Sequence, residues 1–341
     1  MNLSKQSEAS KKITEYLNTM PAGSKLPSER EMAQLMGISR PTLRKAMSAF
    51  VTAGLLRPVR GSGIYVVKSL AGGSHKKICL AYSADIRVGT DPFFSLMISH
   101  IELEVTGRGG IFLAASIADD GMPPPAVREA DGIITMGVLN GSALPKDRPV
   151  TVVLESGCPL PEASYVLVDN YLGGFMVARH ILSLGHRQVA FAGPANAYLS
   201  AGDRYRGACD ALKEAGLEPP ALINARMNLA GGREAAAAVK ESGVTAVICS
   251  NDWLAMGMVD ALHRLGIRVP EDISVTGFDD IPAALFFKPA LTTVSIPVPE
   301  IASIAVKELI ERIDAGGRAM PKRILLPAEI VARESCRKIK L

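Results

Sequence analysis

Residues 25–66, KLPSEREMAQLMGISRPTLRKAMSAFVTAGLLRPVRGSGIYVV, constrain this chain more than any other stretch. Ser28 followed three residues later by Glu31 is the signature of a capped helix start. Met32, Leu35 and Met36 then place apolar residues at helical spacing. Gly37 suits the left-handed position that ends a helix. Ser39 is placed to cap a second helix, and Pro41 falls in its first turn, where a missing N–H costs nothing. Leu43, Met47 and Phe50 recur at i, i+4 and i+7 on one face. Arg40, Thr42, Arg44 and Lys45 crowd the N-terminal end of that helix. Arg57 and Arg60 flank the tip Gly61-Ser62-Gly63 of a hairpin. Two capped helices across a tight turn, followed by a small hairpin, predict a helix-turn-helix with a wing. The N-terminal end of the second helix then enters the major groove of duplex DNA, where an arginine reads guanine O6 and N7.

Charge divides the chain in the same way. Residues 1–70 hold 11 Lys/Arg and 4 Asp/Glu, net +7; the whole chain is +4, which leaves −3 for residues 71–341. A basic module on a mildly acidic body fits nucleic-acid binding by one end alone. The five cysteines, Cys79, Cys158, Cys209, Cys249 and Cys336, lie far apart without CxxC spacing. They read as small buried hydrophobes in a reducing compartment, not as a metal site or a disulfide frame. The polar start MNLSKQSEASKK lacks the apolar stretch of a secretory signal. No apolar run reaches the roughly 18 residues of a membrane span. The expectation is a cytoplasmic protein of three parts: a DNA-binding domain over 1–68, a Gly/Ser-rich linker over 69–76 (SLAGGSHK), and a larger domain over 77–335.

The first part resembles the winged-helix domain of the GntR family over roughly residues 7 to 67, on LPSEREMAQLMGISRPTLRKAM followed by GSGIYV. The resemblance implies that Arg30, Arg40 and Arg44 contact bases or phosphates and that Ser39 and Thr42 lie on phosphates. It puts Gly61 in the wing near the minor groove. Pro41 departs from the small polar residue usual there.

Beyond residue 76 the pattern changes to short continuous apolar runs between amphipathic stretches. Strands are expected at 77–83, 110–116, 131–136, 149–155, 187–193, 245–250 and 273–279, and helices at 171–185, 203–216 and 252–266. Gly185 and Gly216 end two of those helices. The proline cluster Met122-Pro123-Pro124-Pro125 reads as an irregular loop. Such alternation predicts an α/β fold, parallel sheets covered on both faces, with ligand beyond the carboxyl ends of the strands. Those ends carry Asp85, Asp91, Phe93-Phe94, Arg204, Asn251-Asp252 and Asp279-Asp280. Planar polar groups beside aromatic rings suit a polyhydroxylated ligand. Asp252 and Asp280 read first as caps and turn formers, Arg204 and Asp279 as ligand contacts. Trp253 fits a pocket wall or simple packing equally well.

The body is similar to the LacI/GalR effector domain, a two-lobed fold like that of periplasmic sugar-binding proteins. DPFF, ADGII, VDNYLGG, LGHRQVAFAG, DRYRGACDAL, SNDWLAMG, VPEDISVTGFDD and PALTTV carry the similarity in order from about residue 77 to 335. It implies two parallel-sheet lobes joined by three crossovers. Cleft residues carried over are Arg204, Asn251 and Asp279, then Phe93, Glu155, Met227, Phe286 and Ile296. Many sugar-binding members have Gln where Ile296 stands and an aromatic where Met227 stands. Between Ala115 and Asp131 the chain is short, so the helix expected there is truncated or absent. SLAGGSHK replaces the hinge helix of LacI-type regulators. The whole resembles the arrangement of arabinose repressors. It implies a homodimeric regulator on double-stranded operator DNA, a repressor released by a small sugar or derivative, with no cofactor, no metal and no membrane.

Two other classes compete. A solute-binding protein has no use for residues 25–66. A sugar-active enzyme on the same α/β fold finds no support in a GxGxxG after a strand, a P-loop or a nucleophile elbow. His100, His180, His186 and His263 lack metal-ligand spacing and read as structural.

Overall fold

A computed structural model describes residues 9, 12–14, 16–17, 20, 23–52, 55–59, 63–66, 76–84, 86, 88–89, 91–118, 122–137, 144–154 and 160–339. The chain divides into two compact units, residues 1–77 with 105–112, and 78–104 with 113–341.

In the first unit, helix Glu29–Met36 opens on a reciprocal cap. Ser28 Oγ accepts from Glu31 N at 3.3 Å, and Glu31 Oε2 accepts from Ser28 N at 2.8 Å. Gly37, at φ 63°, closes it in the left-handed region, its N–H directed at Ala33 and Gln34 carbonyls. Helix Arg40–Thr52 follows. Met32, Ala33, Met36, Leu43 and Met47 are buried with Ile13, Leu17, Leu56 and Val66. The apolar stripe of the first helix is thus Met32, Ala33 and Met36. Leu35, expected inside, is 62% exposed, because its position turns to the opposite face of so short a helix. β1 (Leu56–Val59) and β2 (Gly63–Val66) pair antiparallel with Leu56 opposite Val66. Residues 60–62 at the wing tip, and residues 69–75 of the expected linker, lie outside the described residues.

Two parallel sheets follow, in the second unit apart from Lys77, Ile111 and Phe112. The first combines β3 (Lys77–Ser83), β4 (Ile111–Ile117), β5 (Gly132–Met136), β6 (Val150–Leu154), β7 (Ser164–Val168) and β13 (Arg323–Leu326) in the order β13-β7-β6-β5-β3-β4. The second combines β8 (Val189–Ala192), β9 (Ala221–Ile223), β10 (Ala246–Cys249) and β11 (Ser274–Thr276) in the order β11-β10-β8-β9. β12 (Thr293–Ser295) and β14 (Glu329–Val331) form a separate antiparallel pair. The chain therefore passes between lobes three times: after β7, after β12 and after β13. That is the crossover count the resemblance implied.

Local details follow from the residues. Gly185 and Gly216 take φ of 95° and 72° just past their helices, as glycine alone does cheaply. Among the described residues between β4 and β5 stands only the five-residue helix Pro125–Glu129, so the expected helix is truncated there. The proline cluster is not wholly a loop. Pro125 starts that helix, since its fixed φ suits a first turn. His186 is buried between Thr245 Oγ1 at 2.9 Å and Arg337 O at 3.1 Å, a structural role. Cys79 and Cys249 are buried as expected, while Cys209 and Cys336 are only partly so; burial pushes the Cys79 thiol up to about 11 and that of Cys336 up to about 12. Cys158 lies outside the described residues. Among those described, no helix is long and apolar enough to cross a membrane.

Candidate functional site

The first candidate is the exposed face of helix Arg40–Thr52. Arg40, Pro41, Arg44, Lys45 and Ser48 share one shallow depression there. Ser39 caps the helix, accepting from Thr42 N at 3.3 Å, and its hydroxyl lies 2.7 Å from Thr42 Oγ1. Both hydroxyls thereby sit at the helix N-terminus, where unpaired N–H groups favour phosphate. Arg30 is exposed on the preceding helix, and Gly61 lies outside the described residues. The sequence reading missed Glu29. Its carboxylate accepts from Arg44 Nε at 3.2 Å and from Nη2 at 2.7 Å, and lies 3.9 Å from Arg40 Nη2. The Arg44 hydrogen bond holds that carboxyl below its usual range. Glu29 thus occupies one edge of the Arg44 guanidinium and leaves the Nη1 end for another partner. Arg44→Ala should lose about 1–3 kcal/mol on a cognate site and relax specificity at one base pair. Filter binding to cognate and random duplexes checks this. An equal loss on both would reduce Arg44 to a phosphate contact.

The second candidate is a cavity of about 820 Å³ between the lobes of the second unit. Helix Leu199–Glu214 brings in Arg204, which is only 4% exposed. Its Nε donates to Asn170 Oδ1 at 2.8 Å, its Nη1 donates to the Ser250 carbonyl, and the same Nη1 lies 3.5 Å from Asp279 Oδ1. The guanidinium carbon stacks 3.6 Å from the centre of the Phe278 ring, a cation–π contact. One side chain thus ties together the start of the helix after β7, the end of β10 and the turn after β11. Asp279 holds φ 114°, which Asp and Asn tolerate better than most residues, and its N–H donates to Val294 O at 2.8 Å. Burial pushes the Asp279 carboxyl well up; Arg204 opposes that shift, while Asp252 and Asp91 add to it.

Asn251 lines the cavity and also caps the next helix, accepting from Leu254 N at 2.9 Å. Behind it Asp252 is fully buried and structural. Its carboxylate accepts from Thr293 Oγ1 at 2.5 Å and from Ile281 N at 2.9 Å, and burial pushes it to about 7. Asp280 is held by Arg333 Nη2 at 2.6 Å. Phe93, Met227 and Ile296 line the cavity, as do Asp91, Phe94 and Trp253. Trp253 also packs on the second-lobe core, so both of its readings hold. The structure does not bring Phe286 to the cavity. It ends the short helix Pro282–Phe286 and is 77% exposed, because Ala284 takes the buried face of that single turn. Glu155 and Asp85 lie outside the described residues. Asn170, the hydrogen-bond partner of Arg204, was not singled out in the sequence. Its position at the end of the VDN run, just past a strand, was the available signal.

Residues 6–66 match the family described as bacterial regulatory proteins, gntR family, and residues 178–336 match the periplasmic binding protein-like domain. The chain thus joins a gntR-type helix-turn-helix to a periplasmic-binding-protein-like domain. Among curated proteins, the HTH-type transcriptional repressor PurR of Mannheimia succiniciproducens is 25% identical, with 91% of this chain and 98% of that one covered. The arabinose metabolism transcriptional repressor of Geobacillus stearothermophilus is 27% identical, covering 94% of this chain and 93% of its own. The HTH-type transcriptional regulator DegA of Bacillus subtilis is 33% identical over 52% of this chain and 53% of its own. Among solved structures, a LacI family transcriptional regulator from Enterococcus faecium with bound ribose superposes with a TM-score of 0.71 at 26% identity, covering 77% of this chain and 100% of that one.

Proposed function

We infer that this chain is a ligand-responsive transcription repressor, held on operator DNA by its winged helix-turn-helix and released when a small sugar-like effector closes the cleft. The observation that carries the reading is the buried Arg204–Asp279 pair at the carboxyl ends of the second-lobe strands, in one chain with an arginine-faced recognition helix. Ligand sites in open parallel sheets lie at that edge. Arg30, Ser39, Arg40, Thr42, Arg44 and Gly61 are the proposed DNA contacts. Arg204, Asn251, Asp279, Phe93, Met227, Ile296 and Glu155 are the proposed effector contacts; the exposure of Phe286 removes its support. The proposed division is 1–68, 69–76 and 77–335, in a cytoplasmic homodimer on a palindromic operator, since one winged helix reads only a half-site.

Effector should weaken operator binding by about 5–150-fold, and operator should weaken effector binding by the same factor. Calorimetric titration of effector with and without operator checks this. Equal affinities would uncouple the two sites, and tighter binding on DNA would mean co-repression. A gel shift separates this reading from a solute-binding protein or an enzyme, neither of which retards a specific duplex.

A further inference from the structure

The wing sheet extends beyond its two strands. Residues 23–26, ahead of helix Glu29–Met36, run antiparallel to β2. Leu26 N donates to Ile64 O at 2.8 Å, Val66 N to Ser24 O at 2.9 Å, and Gly23 N to Val66 O at 2.8 Å. Lys25 thereby stands opposite Tyr65, and Arg57 of β1 stands opposite Tyr65 from the other side. Partners in register share one face of a sheet. The alternate positions Leu26, Leu56, Ile64 and Val66 pack into the helical core. Lys25, Tyr65 and Arg57 therefore form one row on the outer face, two exposed cations with the half-buried Tyr65 between them.

The Lys25 side chain leans along the wing from that row. A β-carbon built on Gly63 would lie 3.0 Å from Lys25 Cε and 3.9 Å from its Nζ. Gly63 is two residues nearer the hairpin tip than Tyr65, so the lysine stem runs about 7 Å toward the tip. Gly63 pairs with Val59 at the tip end of the β1–β2 ladder. It has no side chain and holds φ 118°, so the stem lies over bare main chain. The ammonium is thus carried from the strand ahead of the helix-turn-helix to the root of the wing.

This placement suits a phosphate better than a base edge. An ammonium is a compact point charge with three donors and lacks the planar fork that reads guanine. Glycine beneath it lets a sugar-phosphate strand approach the wing closely. Arg57 adds a second charge in the same row. We propose, resting on the DNA-binding reading above, that Lys25 and Arg57 form a phosphodiester clamp on the outer face of the wing. The clamp is separate from the Arg40 and Arg44 face that reads bases, and it holds the strand beside the wing without regard to sequence.

The test is fluorescence anisotropy of the full chain on a random-sequence duplex of about 30 base pairs, across 50 to 200 mM salt. Each phosphate contact adds about 0.9 to the slope of log affinity against log salt, or about 3.5-fold over that range. Lys25→Gln should lower the slope by about 0.9, and Lys25→Gln with Arg57→Gln by about 1.8. Lys25→Arg keeps the charge and should restore the parental slope. On a cognate duplex, selected from a random pool by the parent chain, the losses should equal those on random sequence, whereas Arg44→Ala loses more on the cognate. Urea midpoints should stay at the parental value, since both side chains are exposed. Should the double variant fold poorly, the two single variants carry the same test. A parental slope in the folded variants overturns the proposal and leaves the Arg44 reading intact. A loss confined to the cognate duplex overturns it too, by making the pair base readers. A parent chain that binds no duplex at any of these salt concentrations removes the clamp and the DNA-binding reading together.

Discussion

Asp279→Ala should lower the unfolding free energy by about 3–5 kcal/mol, the usual cost of breaking a buried ion pair from one side. The direction follows from which partner stays behind. Asp279 without Arg204 would be a carboxyl already inclined by burial to keep its proton. Arg204 without Asp279 has no such escape, because a guanidinium does not shed its charge in proteins. It would remain buried on two neutral acceptors, Asn170 Oδ1 and Ser250 O, and on the Phe278 face. Backbone geometry adds to the loss, since φ is 114° at this position and Ala adopts such a conformation poorly. Asp279→Asn keeps both the conformation and an acceptor, so it should be markedly milder in stability while still losing effector affinity. Trp253, the sole tryptophan, sits beside the site and makes urea unfolding readable by fluorescence. Ala and Asn variants both as stable as the parent would show that Arg204 does not depend on this carboxylate.

The parts legible in the sequence were those whose cause is local. Ser28 and Glu31 cap each other three residues apart, and Gly37 and Ser39 sit where a stop and a restart require them. The strands at Lys77–Ser83 and Val150–Leu154 are continuous apolar runs, so their burial on both faces was plain. Arg204 and Asp279 were picked out as polar residues on the segments that follow such strands, and the structure sets them 3.5 Å apart. What was missed depends on distant partners or on weak patterns. Glu29 carried no signal of its own until the two helices brought it against Arg44, fifteen positions away. β9, β12 and β14 have three residues each, too few for any period to show. Helix Leu229–Ser242 is rich in Ala and Gly, so it carries little apolar stripe. Leu35 and Phe286 failed in the other direction: spacing or family position put them inside, and a short helix turned them out.

That same Ala- and Gly-rich texture sets up the second large effect. Helices Asn170–Ser183 and Leu199–Glu214 cross so closely that a β-carbon on Gly174 would be driven into the Arg204 carbonyl, and one on Gly207 into the Tyr171 carbonyl. The obstacle in each case is backbone, which has no rotamer to change. Gly174→Ala gains about 0.8–1 kcal/mol of helix propensity. Against this stands overpacking of about 1–3 kcal/mol or more, and the larger figure applies where a main chain must move, so the variant should be destabilised. It should also lose effector affinity, because separating the helices displaces Arg204 from Asn170 and Asp279. Gly216 provides the contrast. Its φ is 72° and nothing lies within 4 Å of an added β-carbon, so Gly216→Ala should cost only the roughly 1–2 kcal/mol of a left-handed residue. Its effector affinity should be unchanged. Melting temperature and calorimetry with the probe that binds the parent protein, measured on both variants, separate the two. If Gly174→Ala bound that probe as well as Gly216→Ala does, the helix crossing would not be what positions Arg204.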